Sequence, residues 1–125
     1  RILHMLNVEF YRKSNGECPI QEYLDSLSPK LRAKTLRSIM LLEEFGRELR
    51  LPYSGSVRDG IYELRSIVGS DITRVLYFFI AGNSAVLTHG FTKKTNKIPV
   101  REIDKANTYR NDYYKQIIRK GDLHE

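Results

Sequence analysis

Five cations, Arg65, Arg74, Lys93, Lys94 and Lys97, fall along and just after a strand-like stretch from Ile61 to Pro99 that also holds Tyr77 and His89. Arginine offers a planar fork to two phosphate oxygens, whereas lysine supplies a compact charge that also donates a proton. Histidine and tyrosine serve as general acids or bases. This set suits cutting of RNA by attack of its own 2′-OH on the neighbouring phosphorus. That reaction needs no metal: the protein holds the backbone in line, neutralises charge on phosphate oxygens and moves two protons. Arg65, Arg74, His89 and Lys94 are therefore the candidate catalytic residues, and Lys93, Lys97 and Tyr77 the candidate RNA contacts.

Each of these residues also has a plainer role open to it. Arg65 can pair with Glu63 or Asp71, and Arg74 can lie along a sheet edge with its head in water. Tyr77 stands inside Leu76-Tyr77-Phe78-Phe79, a run that suits core packing. His89 beside Gly90 fits a hydrogen-bonded strand histidine, and the Lys93-Lys94 pair fits solvated charge.

The elements that must carry these residues are legible from periodicity. Alternation over Leu6–Phe10 predicts a strand, and Ser14-Asn15-Gly16 a turn. Pro19 opens a helix with Ile20, Tyr23, Leu24 and Leu27 on one face. Ser28-Pro29 starts a second helix, running to about Phe45 and closed by Gly46. Its apolar residues cover more than one stripe, which predicts burial of two faces. Residues 51–60 read as a loop. Three strands follow near 61–67, 72–80 and 84–91, joined by short turns. Pro99 opens a last helix that Gly121 is expected to stop. Strict alternation puts Arg74, Leu76 and Phe78 on one face of the second meander strand, and Leu87, His89 and Phe91 together on the third. The expected architecture is α+β: an N-terminal strand and helix hairpin, an antiparallel three-strand meander and a C-terminal helix.

Composition narrows the function classes. The chain has 125 residues, a net charge of +6 and one cysteine, which fits a single domain over residues 5–121 with an anionic partner. Residues 1–4 read as possible upstream or added sequence. The surplus charge is regional: residues 61–97 hold five Lys/Arg against two acids, whereas residues 98–125 hold six against five. Cys18 has no partner for a disulfide, which fits a reducing cytoplasmic setting. No apolar run reaches the roughly 18 residues of a membrane span, so no membrane partner is expected. His4, His89 and His124 are scattered, and no P-loop or dinucleotide fingerprint occurs, so neither a metal nor a small-molecule cofactor is expected.

At these residues the sequence resembles the HigB-type, phage-derived branch of the RelE/ParE toxin superfamily. The resemblance is carried by EFYRKSNGECPIQEYLDSL (9–27), KLRAKTLRSIMLLEEFG (30–46), DGIYELR (59–65), RVLYFF (74–79), LTHGFTKKTNKIP (87–99) and EIDKAN with DYY (102–114). It implies a RelE-like fold with a mainly antiparallel sheet and a type II toxin that cleaves mRNA on the ribosome, inhibits translation and is silenced by a cognate helix-turn-helix antitoxin. It places the basic working residues at Arg65, Arg74 and Lys93-Lys94. Two departures stand out. Ile61 and Glu63 replace lysines of RelE itself, and RelE's catalytic tyrosine has no equivalent in Lys97-Ile98-Pro99-Val100, which leaves His89 as the candidate acid or base. Two other functions fit the superfamily: a ParE-like toxin that poisons gyrase, and a non-catalytic module that only binds an antitoxin.

Overall fold

A computed structural model describes residues 5–124, with side chains through Gly121; residues 1–4, among them His4, residue 125 and the side chains of residues 122–124, among them His124, lie outside the described residues. The elements in order are β1 (Asn7–Phe10), α1 (Pro19–Ser26), α2 (Pro29–Phe45), β2 (Ser54–Arg58), β3 (Ile61–Val68), β4 (Asp71–Ile80), β5 (Ser84–Lys93) and α3 (Val100–His124). The strands form one sheet in the order β1-β5-β4-β3-β2. All neighbours are antiparallel except β1, which runs parallel to β5. The α+β class, the helix hairpin and the meander are as the sequence predicts. No helix among the described residues is long and apolar enough to cross a membrane.

Each helix begins and ends for a local reason. Pro19 and Pro29 occupy first-turn positions, where a missing N–H costs nothing. Ser28 Oγ accepts from the Leu31 N–H, and Gly46, at φ 58°, closes α2 with its N–H on the Leu42 carbonyl. The hairpin α1–α2 covers one sheet face, packing Ile20, Leu24, Ile39 and Leu42 on Leu64, Val75, Tyr77 and Leu87. Helix α3 covers the other, where Ala106, Tyr109 and Tyr113 meet Ile61, Leu76, Phe78 and Val86. Tyr11 Oη donates to Asp112 and Tyr113 Oη to Glu9, tying α3 to the β1 edge.

Four expectations need correction. Residues 54–58 are a strand: Ser54 pairs with Leu64 and Ser56 with Tyr62, and Asp59-Gly60, both at positive φ, turn the hairpin. The pairing overrides the weak strand propensity of Ser-Gly-Ser. Within the described residues of this chain helix α2 buries one stripe, so the second face expected to be covered by a helix neighbour or a partner is not covered by a helix of this chain. That stripe is partly polar, with Thr35 on Thr73 and Ser38 on Ser66, while Leu36 and Met40 stay exposed. Gly121 does not stop α3, which runs through it to His124 without a positive φ.

The fourth correction concerns the site. Between Leu76/His89 and Tyr77/Leu87 the β4–β5 register shifts, so Thr88 is an extra residue. A bulge reverses the parity of everything after it. Leu87 therefore faces the helix hairpin, while His89 and Phe91 face α3, on the side of Arg74 and Leu76. Gly90 turns to α1, where the Tyr23 ring lies so close that a Cβ would meet it at 2.2 Å.

Candidate functional site

Arg65 and Arg74 are directly opposed partners on β3 and β4, facing the α3 side. Two cations in that relation repel. Glu63, two residues before Arg65 and so on the same face, lies between them. Its Oε1 is 3.4 Å from Arg74 Nε and 3.8 Å from Arg65 Nε. The loop after β5 folds over the trio: Arg74 Nη2 donates to the Thr95 carbonyl and Arg65 Nη2 to Asn96 Oδ1. The Arg74 side chain is 0% exposed, against 21% for Arg65 and 14% for Glu63.

Hydrogen bonding there is incomplete. Arg74 Nε and Nη1, Arg65 Nε and Glu63 Oε1 are all buried without a hydrogen-bond partner among the described residues. Arg74 Nη1, which has no ion-pair partner among them either, costs on the order of 1–3 kcal/mol, and native folds carry few such groups. Burial pushes the Glu63 carboxyl above its ordinary value, and the two guanidiniums reverse only part of that rise. Burial likewise works against the charged form of Arg74, with Glu63 the main offset. The trio is thus a desolvated charge cluster with spare donors, suited to an oxyanion.

The lysines stand outside it. Lys93 ends β5 opposite Ile72 and is half-buried. Lys94 is exposed at the β3–β4 turn, its Nζ 3.4 Å from Ser70 Oγ and 3.8 Å from Asp71 Oδ1. Lys97 is exposed on the covering loop. All three lie near the sheet end that holds the arginines.

Two candidates are placed elsewhere. Tyr77 is buried on the opposite face, its ring against Tyr62 and Phe79 and its hydroxyl 2.6 Å from Ser54 Oγ. Burial pushes that hydroxyl up to about 12, and the ring belongs to the core on that face, away from the arginine cluster. His89 shares the arginines' face but lies under α3. Its Nε2 is 3.1 Å from Glu102 Oε1, its Nδ1 is 3.0 Å from Thr88 Oγ1, and the residue is 3% exposed. Burial lowers its affinity for a proton, with Glu102 opposing in part. In this structure the ring is engaged at both nitrogens and covered by α3.

The sequence offers Glu63 as a salt-bridge partner for Arg65 and as a departure from RelE's lysines, not as a site residue, and it does not single out Asn96. The signal for Glu63 was present, since Glu-x-Arg on a strand puts both side chains on one face. Asn96 sits in a loop, where no periodicity announces direction.

The profile of the family described as Phage derived protein Gp49-like (DUF891) matches residues 22–111, from α1 into α3 and across the whole charge cluster. No curated protein matches the chain.

Proposed function

Since the chain belongs to the Gp49-like phage-derived family, a RelE/toxin-like family, we propose that it is a HigB-type toxin: an endoribonuclease that cuts ribosome-bound mRNA without a metal. The toxin-like family implies an antitoxin partner; on this reading that partner is a helix-turn-helix protein and the toxin acts in the cytoplasm. One single-domain toxin spans residues 5–121. The observation that carries the reading is the Glu63–Arg65–Arg74 cluster, where two guanidiniums share one carboxylate and buried nitrogens are left without hydrogen bonds on one small sheet face.

In the cut, the 2′-oxygen bonds to the adjacent phosphorus, the bond to the 5′-oxygen breaks, and a 2′,3′-cyclic phosphate and a 5′-hydroxyl result. Arg74 and Arg65 neutralise the charge that builds on the phosphoryl oxygens. Glu63, with its proton affinity raised by burial, accepts the 2′-OH proton, and a solvent water donates the proton that the departing 5′-oxygen takes up. Lys93, Lys94 and Lys97 hold the flanking phosphates.

Purified chain added to programmed ribosomes is expected to yield 5′-hydroxyl fragments, and Arg74→Lys to lower the rate by about 10²-fold or more, the scale for losing one preorganised donor. Intact mRNA with the wild-type chain rejects the nuclease. A second reading has its own support: Arg74 is fully covered and bonded to the Thr95 carbonyl, as a loop-fixing residue in a non-catalytic antitoxin-binding module would be. Normal growth on induction without the antitoxin selects that reading. DNA breaks with mRNA intact select a gyrase poison.

A further inference from the structure

At the end of the sheet away from the charge cluster, two adjoining cavities of about 560 and 440 Å³ share Arg47, Tyr62 and Phe79 as walls. Arg110 and Tyr114 of α3 line the first, and Arg50 lines the second. Both volumes are in the range of small-ligand sites. We propose that this arginine–aromatic groove binds a nucleotide, its base against the aromatic faces and its phosphate between the guanidiniums, as a second RNA contact of the chain.

The arginines there are held, but not neutralised. Arg47 lies over the Phe79 ring at 4.1 Å and is exposed. Its carbonyl accepts from Arg50 Nη1 at 2.7 Å. Arg110 donates to the Asp59 carbonyl and to Asn107 Oδ1. Among the described residues none of the three forms an ion pair, in contrast to Arg65 and Arg74 on Glu63. Gly60 makes room for Arg110, since a Cβ there would stand 3.1 Å from Nη1. Guanidiniums fixed in direction, uncompensated and flanked by rings are what a base with its phosphate requires. An acidic peptide would need the charge but not the rings.

The groove and the cluster are separated along the sheet. From Gly60 to Arg65, and from Phe79 to Arg74, is five residues, about 17 Å at roughly 3.3 Å per strand residue. Tyr62 and Phe79 face the helix hairpin and Arg65 and Arg74 face α3, so a strand touching both must round the sheet edge as well and needs more than the roughly five nucleotides that the 17 Å alone would take at about 3.4 Å each. The ligand has two sources, a free mononucleotide or a nucleotide within a strand. The proposal rests on the RNA reading above for its ligand but not on cleavage.

The test is fluorescence anisotropy of a labelled octaribonucleotide and calorimetry with AMP, using the full chain as wild type, Arg47→Ala, Arg110→Ala and the charge-keeping Arg47→Lys, each checked for an unchanged melting profile. Expected are five- to twentyfold weaker octamer binding for both alanine variants and an intermediate loss for Arg47→Lys, which keeps the charge but not the planar stack. AMP binding with the same losses identifies a free nucleotide as sufficient; octamer binding alone identifies the strand. Octamer affinity unchanged in both alanine variants overturns the groove, even if Arg74→Lys stops cleavage. Competition by a hexaglutamate peptide as strong as by unlabelled octamer also overturns it. Losses as expected in a chain that cuts no mRNA uphold the groove while the nuclease reading fails.

Discussion

The two ends of the sheet hold arginines in opposite ways. Around Arg74 the charges are buried, opposed by one carboxylate and short of hydrogen bonds. Around Arg47 and Arg110 they are partly open, seated on rings and carbonyls. A desolvated charge interacts strongly with whatever enters but is costly to keep; an open one is cheap to keep and exchanges its partners easily. The first arrangement suits a charge that develops only during a reaction, the second a ligand that must come and go.

That contrast makes its largest prediction in stability. Arg74→Ala leaves Glu63 in a covered site without its nearest cation, and breaking a pair in this way costs about 3–5 kcal/mol when fully buried; partial exposure of Glu63 puts the expected loss near 3 kcal/mol. Arg110→Ala removes an arginine with no ion pair, and a change below about 1 kcal/mol is expected. Urea unfolding of both variants measures the difference. Equal losses would mean the two ends are not distinct.

Glycine substitution separates the ends next. Gly90 lies by the bulge beneath Tyr23, whose hydroxyl reaches Thr92 at 2.7 Å. Gly90→Ala must displace that ring, and overpacking of this kind costs about 1–3 kcal/mol. Gly82 at the groove end has open space but a φ of +82°, so Gly82→Ala is expected to cost about 1 kcal/mol from strain alone. Melting curves rank the two, and the ranking reverses if α1 can slide.

The two ends also differ in how well the sequence announced them. Residues 61, 63 and 65 alternate on β3 without interruption, so the Arg65 face was legible from parity. On β5 the extra residue Thr88 changes no composition and breaks no apolar run, so counting by twos put His89 with Leu87. Only pairing with β4 reveals the slip. Residues 54–58 were missed for a related reason: Ser, Gly and Ser gain strand geometry from the β3 edge, although the Asp59-Gly60 pair is a hairpin signal. The groove had no signature at all, since Arg47, Tyr62, Phe79 and Arg110 come from four separate segments.

His89 supplies a prediction through pH. Its imidazole, ordinarily near 6.5, holds a proton less readily in the fold, so in that window the unfolded chain binds more protons. Stability from this group is therefore present at neutral pH and falls as pH drops below about 6.5. Of the charged groups of α3 beside the ring, Glu102 favours its protonated form and Lys105 opposes it. Glu63 acts oppositely, its raised value favouring the folded state on acidification. The comparison of wild type with His89→Phe in denaturant between pH 7.5 and 5.5 isolates the histidine: the variant is expected to lose less stability over that range. Parallel curves would show that folding leaves the ring's proton affinity unchanged, and a variant that loses more than wild type would show that the Glu102 contact holds the ring protonated.

The smallest effect is expected at Lys94, which belongs to the cluster end by position but to the open type by environment. Its side chain is 73% exposed, and its ion pair with Asp71 spans 3.8 Å. Lys94→Ala should change stability by less than about 0.5 kcal/mol. If the lysine only meets a phosphate, the slope of log affinity for RNA against log salt becomes shallower by about 0.7, one released counterion on a single strand, with the cleavage rate at saturating RNA unchanged. A drop in that rate comparable to Arg74→Lys would instead make Lys94 a proton donor. The division between a buried reacting cluster and an exposed holding surface would then run through the lysines and not between the two ends of the sheet.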